Sequence, residues 1–369
     1  MSIVELPKME FHVHLRGAVS KEVLKELIFH KGVKAPFERF FSNNQRKVLC
    51  DVPGISALLR WESYWEKVGM QAETEKRLSL DNVLGEFFTF SSYFDFLKTY
   101  FFTGMYFHSK DAFRDLCRGI CDYMTRDHII YAEVFVSLRE YVNLGVSLED
   151  LVEVLFEEKE RAKERGLYVE WILDPVRNYG GENAVDLVEK VSEIDSQVFS
   201  GITLGGNEKD YPPQDFIHLY RRAKDLGYMT SIHSGEGLGA ESVAWVIDHI
   251  KPDRIGHGVR LTEDERLFEK YADQVQFEIC PTSNLQLGLY SSVKDHPVGK
   301  FLEADAVFTL NTDDPSFFGV TLSQEFEKVQ EATNQSDLFA RLMKIAPQQM
   351  FCKDVSLKHE LECRLKAAR

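Results

Sequence analysis

The chain has 369 residues, 44% of them hydrophobic and 28% charged, a composition that excludes disordered and fibrous classes and is able to bury a large core. That length corresponds to about two average domains or to one α/β barrel. With 59 acidic against 44 basic side chains the formal net charge is −15, so the chain as a whole repels phosphate backbones and no nucleic-acid partner is expected.

The first eight residues, Met1-Ser-Ile-Val-Glu-Leu-Pro-Lys8, hold no apolar run of signal-peptide length, and nowhere do about 18 apolar residues follow one another. A cytoplasmic protein without a membrane partner is the expectation. The six cysteines, Cys50, Cys117, Cys121, Cys280, Cys352 and Cys363, form no C-x-x-C pair and read as reduced core thiols.

Short β-branched runs alternate with longer amphipathic stretches, the mark of repeated βα units and a parallel sheet. Met9–Leu15 is the first run and Ser20–His30 the helix after it. Residues of about 32–128 follow, aromatic-rich and helical by pattern, with Phe87-Phe-Thr-Phe90 and Tyr93-Phe-Asp-Phe96 inside them. The strand Ile129–Ser137 precedes a helix over Leu148–Gly166, Tyr168–Leu173 precedes Asn183–Ile194, and Val198–Leu204 precedes Pro213–Leu226. Met229–His233 leads to a helix over Ala240–Ile250, and Arg254–Gly258, Gln274–Cys280 and Ala306–Asn311 complete eight strands. Eight parallel strands joined by helices close most economically into a (β/α)₈ TIM barrel. The expectation is one domain over residues 1–369, with the helical insertion between strands one and two capping the barrel mouth. Asp354–Arg369 reads as a polar amphipathic helix of structural use.

In Met9-Glu-Phe-His12-Val-His14-Leu, strand alternation sends His12 and His14 to one face, where two imidazoles can share a metal or sit as hydrogen-bonded core residues. Other ligand types stand at equivalent strand ends. Strand five ends Ile232-His233-Ser-Gly-Glu236, strand six ends Gly256-His257-Gly, and strand eight ends Asn311-Thr-Asp313-Asp314-Pro. In a barrel these carboxyl ends converge on one rim. His12, His14, His233 and Asp313 give three nitrogens and one oxygen, a set suited to one Zn²⁺ per chain with a position open for water. Zinc lowers the pKa of bound water to about 7 and so makes a nucleophile. Glu236, His257 and Asp314 remain on the rim for proton donation, orientation and substrate binding. As purely structural residues, Glu236 would cap the helix near Ala240, His257 would support a ligand, and Asp314 would form the turn before Pro315.

These residues resemble the adenosine deaminase family of zinc aminohydrolases. The resemblance rests on six motifs in the family's order: His12-Val-His14-Leu with Gly17-Ala18, Gly205-Gly206-Asn-Glu208, His233-Ser-Gly-Glu236, Arg254-Ile-Gly-His257-Gly, Cys280-Pro-Thr-Ser-Asn284 and Asn311-Thr-Asp313-Asp314-Pro315. It spans about residues 5–350, the stretch of about 32–85 excepted. The resemblance implies that His12, His14, His233 and Asp313 bind zinc and that Glu236 protonates purine N1 as hydroxide attacks C6. It further implies that His257 orients the hydroxide, Asp313 joins in proton transfer, Asp314 binds N7 and the Gly206 N–H binds N3, with His14 also at the substrate. The implied partner is a purine nucleoside, with adenosine or deoxyadenosine the default; the oligomeric state is left open.

Three residues depart from the family pattern. Arg16 stands where enzymes acting on adenosine usually carry an acid, so it either pairs with an anionic 5′ group, as in an AMP-like nucleotide or aminodeoxyfutalosine, or swings to a surface carboxylate. Thr203 and Asn207 replace aspartates and would alter charge around the zinc. Two further readings are a catalytically silent binding protein of the same fold, and a two-metal hydrolase, which the missing lysine at the end of strand four disfavours.

Overall fold

The apolar run Ile129–Val136 is buried along its whole length, as a parallel strand covered on both faces must be, and it anchors the barrel. The computed structural model describes residues 2–40, 42–68 and 73–367. Eight strands follow in chain order: β1 (Lys8–His14), β2 (Ile129–Val136), β3 (Tyr168–Leu173), β4 (Phe199–Ile202), β5 (Met229–Ser234), β6 (Arg254–His257), β7 (Gln276–Ile279) and β8 (Phe308–Leu310). Each is parallel to the next, and the spatial order is the sequence order. A parallel bridge between Val13 and Asp313 closes the ring, with the Asp313 N–H donating to His12 O at 3.0 Å and the His14 N–H to Asp313 O at 2.8 Å. The α/β barrel expected from the strand pattern is therefore the fold.

Boundaries shift where polar residues end the pairing. β7 starts at Gln276 and not Gln274, and β8 spans only Phe308–Leu310. The helix expected over Ser20–His30 is α-helical only for Lys21–Lys25, then widens into a π-turn over Glu26–His30. Between β1 and β2 lie helices Phe37–Phe40, Asn43–Cys50, Pro53–Val68, Glu73–Phe87, Tyr93–Gly104 and Lys110–Arg126. Residues 69–72 of the expected insertion, and 368–369 of the expected C-terminal helix, lie outside the described residues.

Lys110–Arg126 shows how such a helix is specified. Ser109 Oγ accepts from the Ala112 N–H at 3.2 Å, and Ala112, Phe113, Leu116, Cys117, Ile120, Cys121 and Met124 form one buried stripe at three- and four-residue spacing. Burying each large apolar side chain there contributes about 1.5–3 kcal/mol. The aromatics of the insertion divide: Phe87, Phe102, Tyr106 and Phe107 are core, whereas Phe96 packs with Phe317, Phe318, Phe88, Phe90 and Tyr100 beside the end of β8. All six cysteines are free, but Cys50 and Cys363 are exposed on helix surfaces, so only four of the expected core thiols lie in the core. Among the described residues no helix is long and apolar enough to cross a membrane.

Candidate active site

The carboxyl ends of β1, β5 and β8 bring His12, His14, His233 and Asp313 together, with one ligand atom of each within 4.8 Å of all the others. His14 Nε2 lies 3.2 Å from His233 Nε2 and 3.3 Å from Asp313 Oδ1, and His12 Nε2 lies 3.5 Å from the same oxygen. Gly256 makes room for the ring of His12, since a Cβ there would stand 3.1 Å from His12 Cε1. Asp313 and His257 both hold positive φ, 64° and 60°, a backbone strain of the kind that gathers at functional sites.

The donor set fits a cation. His12 Nε2 is buried without a hydrogen-bond partner, and the Nε2 atoms of His14 and His233 converge at 3.2 Å, close enough for one electrophile to draw on both. Burial disfavours the His12 imidazolium, yet the Asp313 carboxylate beside Nε2 and the Glu278 carboxylate bonded to Nδ1 outweigh it and raise the group to about 10. The pocket therefore demands positive charge at that point. Burial, with the neighbouring histidines, holds His233 well below its ordinary value, and burial also lowers His14, so both stand as neutral ligands. A second combination, His257, Cys280 and Asp313, suits a metal less well, because burial pushes the Cys280 thiol far up.

Glu236 follows β5 and faces His257, its Oε1 3.7 Å from His257 Nε2. Burial, then the charges of Asp313 and Glu208, raises its carboxyl to about 8. It does not cap the helix Ala240–His249, whose N-cap is Gly239 without a side-chain bond. His257 Nε2 lies 3.9 Å from Asp313 Oδ2, while its Nδ1 faces Asn284. Burial and the Asp313 charge raise Asp314 well above the carboxylate range, and its Oδ1 has no hydrogen-bond partner among the described residues. Nor does its side chain cap Pro315–Phe318. Two glycines are dictated by this packing: a Cβ on Gly17 would fall 1.9 Å from Asp314 Oδ1, and Gly206, at φ 103°, would meet Asn178 Oδ1 at 2.3 Å.

Arg16 neither reaches the surface nor stands free. It is 3% exposed, pairs with Glu140 from the helix Leu138–Asn143, and lies over the rings of Tyr100 (4.9 Å) and Tyr141 (5.7 Å). Its charge is felt at His14 and Asp314. Gly104 leaves the guanidinium its space, since a Cβ there would stand 2.8 Å from Arg16 Cζ. Thr203 Oγ1 stands 3.4 Å from His233 Nδ1, so the change from an acid does touch a candidate ligand. Asn207 does not: it is exposed and closes its own turn, accepting from the Lys209 and Asp210 N–H groups and donating to Asp210.

Several residues of the site carried no sequence signal of their own. Glu278 on β7 accepts from His12 Nδ1 at 3.0 Å and is tied to Arg254 Nε at 2.8 Å; Arg254 also pairs with Glu133 and stacks 3.5 Å from the Phe351 ring. An acid in a short buried strand was the available clue. Ser283 Oγ donates to Asp313 Oδ2 at 2.6 Å. Asp174, at the end of β3, accepts from the Gly205 and Val176 N–H groups, both at 3.0 Å. Arg177 Nη2 donates to Leu204 O (3.1 Å) and His233 O (2.6 Å), tying the ends of β4 and β5. Glu208, visible only as part of a motif, accepts from the N–H groups of Gly235, Glu236, Gly237 and Leu238 and from the hydroxyls of Ser234 and Ser242, at 2.8–3.3 Å. It holds the loop that carries Glu236.

A family model described as adenosine deaminase matches residues 62–365. An adenine deaminase of Mesorhizobium japonicum is 32% identical over 257 residues, covering 69% of this chain and 79% of that protein. The crystal structure of adenine deaminase from Arthrobacter aurescens superposes with a TM-score of 0.80 at 22% identity, covering 98% of both chains. A zinc-bound amidohydrolase of Burkholderia ambifaria has the same fold, with a TM-score of 0.71 at 20% identity, over 99% of this chain and 93% of that one.

Proposed function

Since the chain belongs to the adenosine deaminase family and is a hydrolytic deaminase, we propose that it replaces the 6-amino group of a neutral adenine-type purine with oxygen and releases ammonia. The substrates we assign are adenine and its nucleosides adenosine and deoxyadenosine. The convergence of three histidines and Asp313 beside the partly buried Glu236 carboxyl is the observation that carries this reading.

His12, His14, His233 and Asp313 would hold one Zn²⁺ per chain. Bound there, the ion supplies Lewis acidity and makes water nucleophilic near neutral pH. The remaining work falls to the side chains. Glu236, protonated at neutral pH, gives its proton to N1, which withdraws electrons from C6 and prepares it for addition of water. Asp313 takes up the proton that this water loses and returns it to the amine, so that the C6–N bond breaks with ammonia leaving, while the hydroxyl left on C6 gives its proton to the Glu236 carboxylate and becomes the carbonyl; His257, facing Asp313, orients the adding oxygen. Asp314 carries a proton and donates to N7, an acceptor, while the Gly206 N–H donates to N3.

The Arg16–Glu140 pair supports a neutral substrate. The guanidinium is already matched by a carboxylate, and the charge of Asp174 is also felt at His14. One observation favours the second reading, an anionic 5′ group: Arg16 Nε is buried without an acceptor. Ammonia release from adenine, adenosine, deoxyadenosine and AMP by zinc-loaded protein, with Glu236→Gln as control, tests both. Turnover of the neutral compounds alone supports the assignment; turnover of AMP alone moves it to the anionic class. Zinc binding with no turnover of any compound would favour the silent binding protein.

A further inference from the structure

A chain of three hydrogen bonds runs from the backbone to His257. The Val298 N–H, at the start of the helix Val298–Glu303, donates to His296 Nδ1 at 3.1 Å. His296 Nε2 lies 3.0 Å from Asn284 Oδ1, and Asn284 Nδ2 lies 3.2 Å from His257 Nδ1. His296 is 4% exposed, and Asn284 and His257 are fully buried, so water does not compete for any link.

The direction of the chain follows from its first donor. A backbone N–H only donates, so His296 Nδ1 must be an unprotonated acceptor and the ring proton sits on Nε2. That proton requires an oxygen opposite it, which orients the Asn284 amide with Oδ1 toward His296 and the NH₂ toward His257. A flipped amide would set donor against donor. The Asn284 NH₂ then makes His257 Nδ1 an acceptor and leaves the proton of the neutral imidazole on Nε2. Burial holds His296 down at about 3, so it stays neutral and the direction persists across physiological pH. His257 Nε2 has no hydrogen-bond partner of its own and faces Glu236 and Asp313 at 3.7 and 3.9 Å.

We propose that Val298, His296 and Asn284 form a tautomer relay that fixes the proton of His257 on Nε2, making His296 and Asn284 positioning residues of the reaction. The role of the fixed N–H rests on the deaminase reading; the tautomer itself does not. In the Nε2–H form His257 presents a donor to the oxygen adding at C6, whereas the other tautomer would present a lone pair and repel it.

The test reads the tautomer and the activity separately. Histidine-labelled protein is examined by long-range ¹H–¹⁵N spectroscopy, with the His257 signals assigned by their loss in His257→Gln. The wild type is expected to show a protonated Nε2 and an unprotonated Nδ1. Asn284→Asp keeps the shape but sets a carboxylate against Nδ1, so Nδ1 becomes protonated, as the other tautomer or as imidazolium. Its kcat should fall at least about ten-fold with KM within about two-fold, as for partners one step removed from the reacting groups. His296→Gln can still donate to Asn284 Oδ1 and should retain both the Nε2–H form and most of kcat, whereas His296→Ala should lose both. A wild-type His257 protonated on Nδ1, or an Asn284→Asp protein with an unprotonated Nδ1, overturns the relay. Correct tautomers with no turnover of any purine would leave the relay standing and sink the deaminase reading instead.

Discussion

Arg16, from the end of β1, and Glu140, from the first turn after β2, form an ion pair whose guanidinium lies over the rings of Tyr100 and Tyr141. On the proposed deaminase reading, the pair would set the charge that the non-reacting end of the substrate meets. Glu140→Gln leaves the guanidinium unmatched, and the ratio of kcat/KM for AMP over adenosine should rise by about ten-fold, the worth of one charge-assisted contact at ~1.4 kcal/mol. Arg16→Asp should move the ratio the other way. Ratios unchanged in both variants would reduce the pair to a packing device.

Removal of the metal should cost stability as well as activity. In the absence of a cation the Asp313 and Glu278 carboxylates are left facing the buried His12 imidazole, which then has to carry a proton in its place. A ligand held at a thousand times its Kd stabilises by about 4 kcal/mol. Exhaustive chelation should therefore lower the melting temperature by several degrees and abolish ammonia release, with both restored by about one Zn²⁺ per chain. His233→Ala should not respond to added zinc. A stoichiometry of two would support the two-metal hydrolase.

The convergence of the four candidate ligands was legible because strand periodicity and barrel topology together decide where strand-end residues meet: His12, His14, His233 and Asp313 each sit at the carboxyl end of a recognisable strand. Arg16 was visible as a departure, but its partner was not, since Glu140 lies after a different strand and only the β1–β2 pairing brings the two together. Glu278 escaped notice because a strand of four residues has too little pattern to reveal an inward acid. The direction of the Asn284 amide is equally hidden, because it is set by a backbone N–H from a helix that the strand pattern did not anticipate. The Cys50 and Cys363 exposures show the converse error, a residue type usually buried standing on a helix surface.

Glu62, on the helix Pro53–Val68, accepts from the Tyr106 hydroxyl at 2.7 Å, and burial raises its carboxyl to about 7. The folded state thus keeps a proton that the unfolded chain releases nearer 4.5, so this group's contribution to stability is fullest below that pH and declines as pH rises toward 7. Glu62→Gln retains the acceptor and removes the titration. It should match the wild type near pH 4 and exceed it by about 1–3 kcal/mol at pH 8, read from urea melts at both values. Parallel curves at the two pH values would mean that Glu62 ionises freely.

Glu236 can act as an acid only while it holds its proton, so kcat/KM for a good substrate should fall as pH rises through about 8. Glu236→Gln keeps the shape without the proton and should lose about 10²–10⁴ in kcat. Part of the upward shift comes from the Glu208 charge, and its removal lowers the folded pKa of Glu236. Glu208→Gln should therefore move the basic limb to lower pH while also loosening the loop, because an amide cannot accept from all the donors that the two carboxylate oxygens now serve. The two effects separate in the profile: loosening alone lowers the plateau at every pH, whereas loss of the charge displaces the limb. A limb that stays in place in Glu208→Gln, with the plateau reduced, would assign Glu208 to loop geometry and leave burial and Asp313 as the causes of the Glu236 shift.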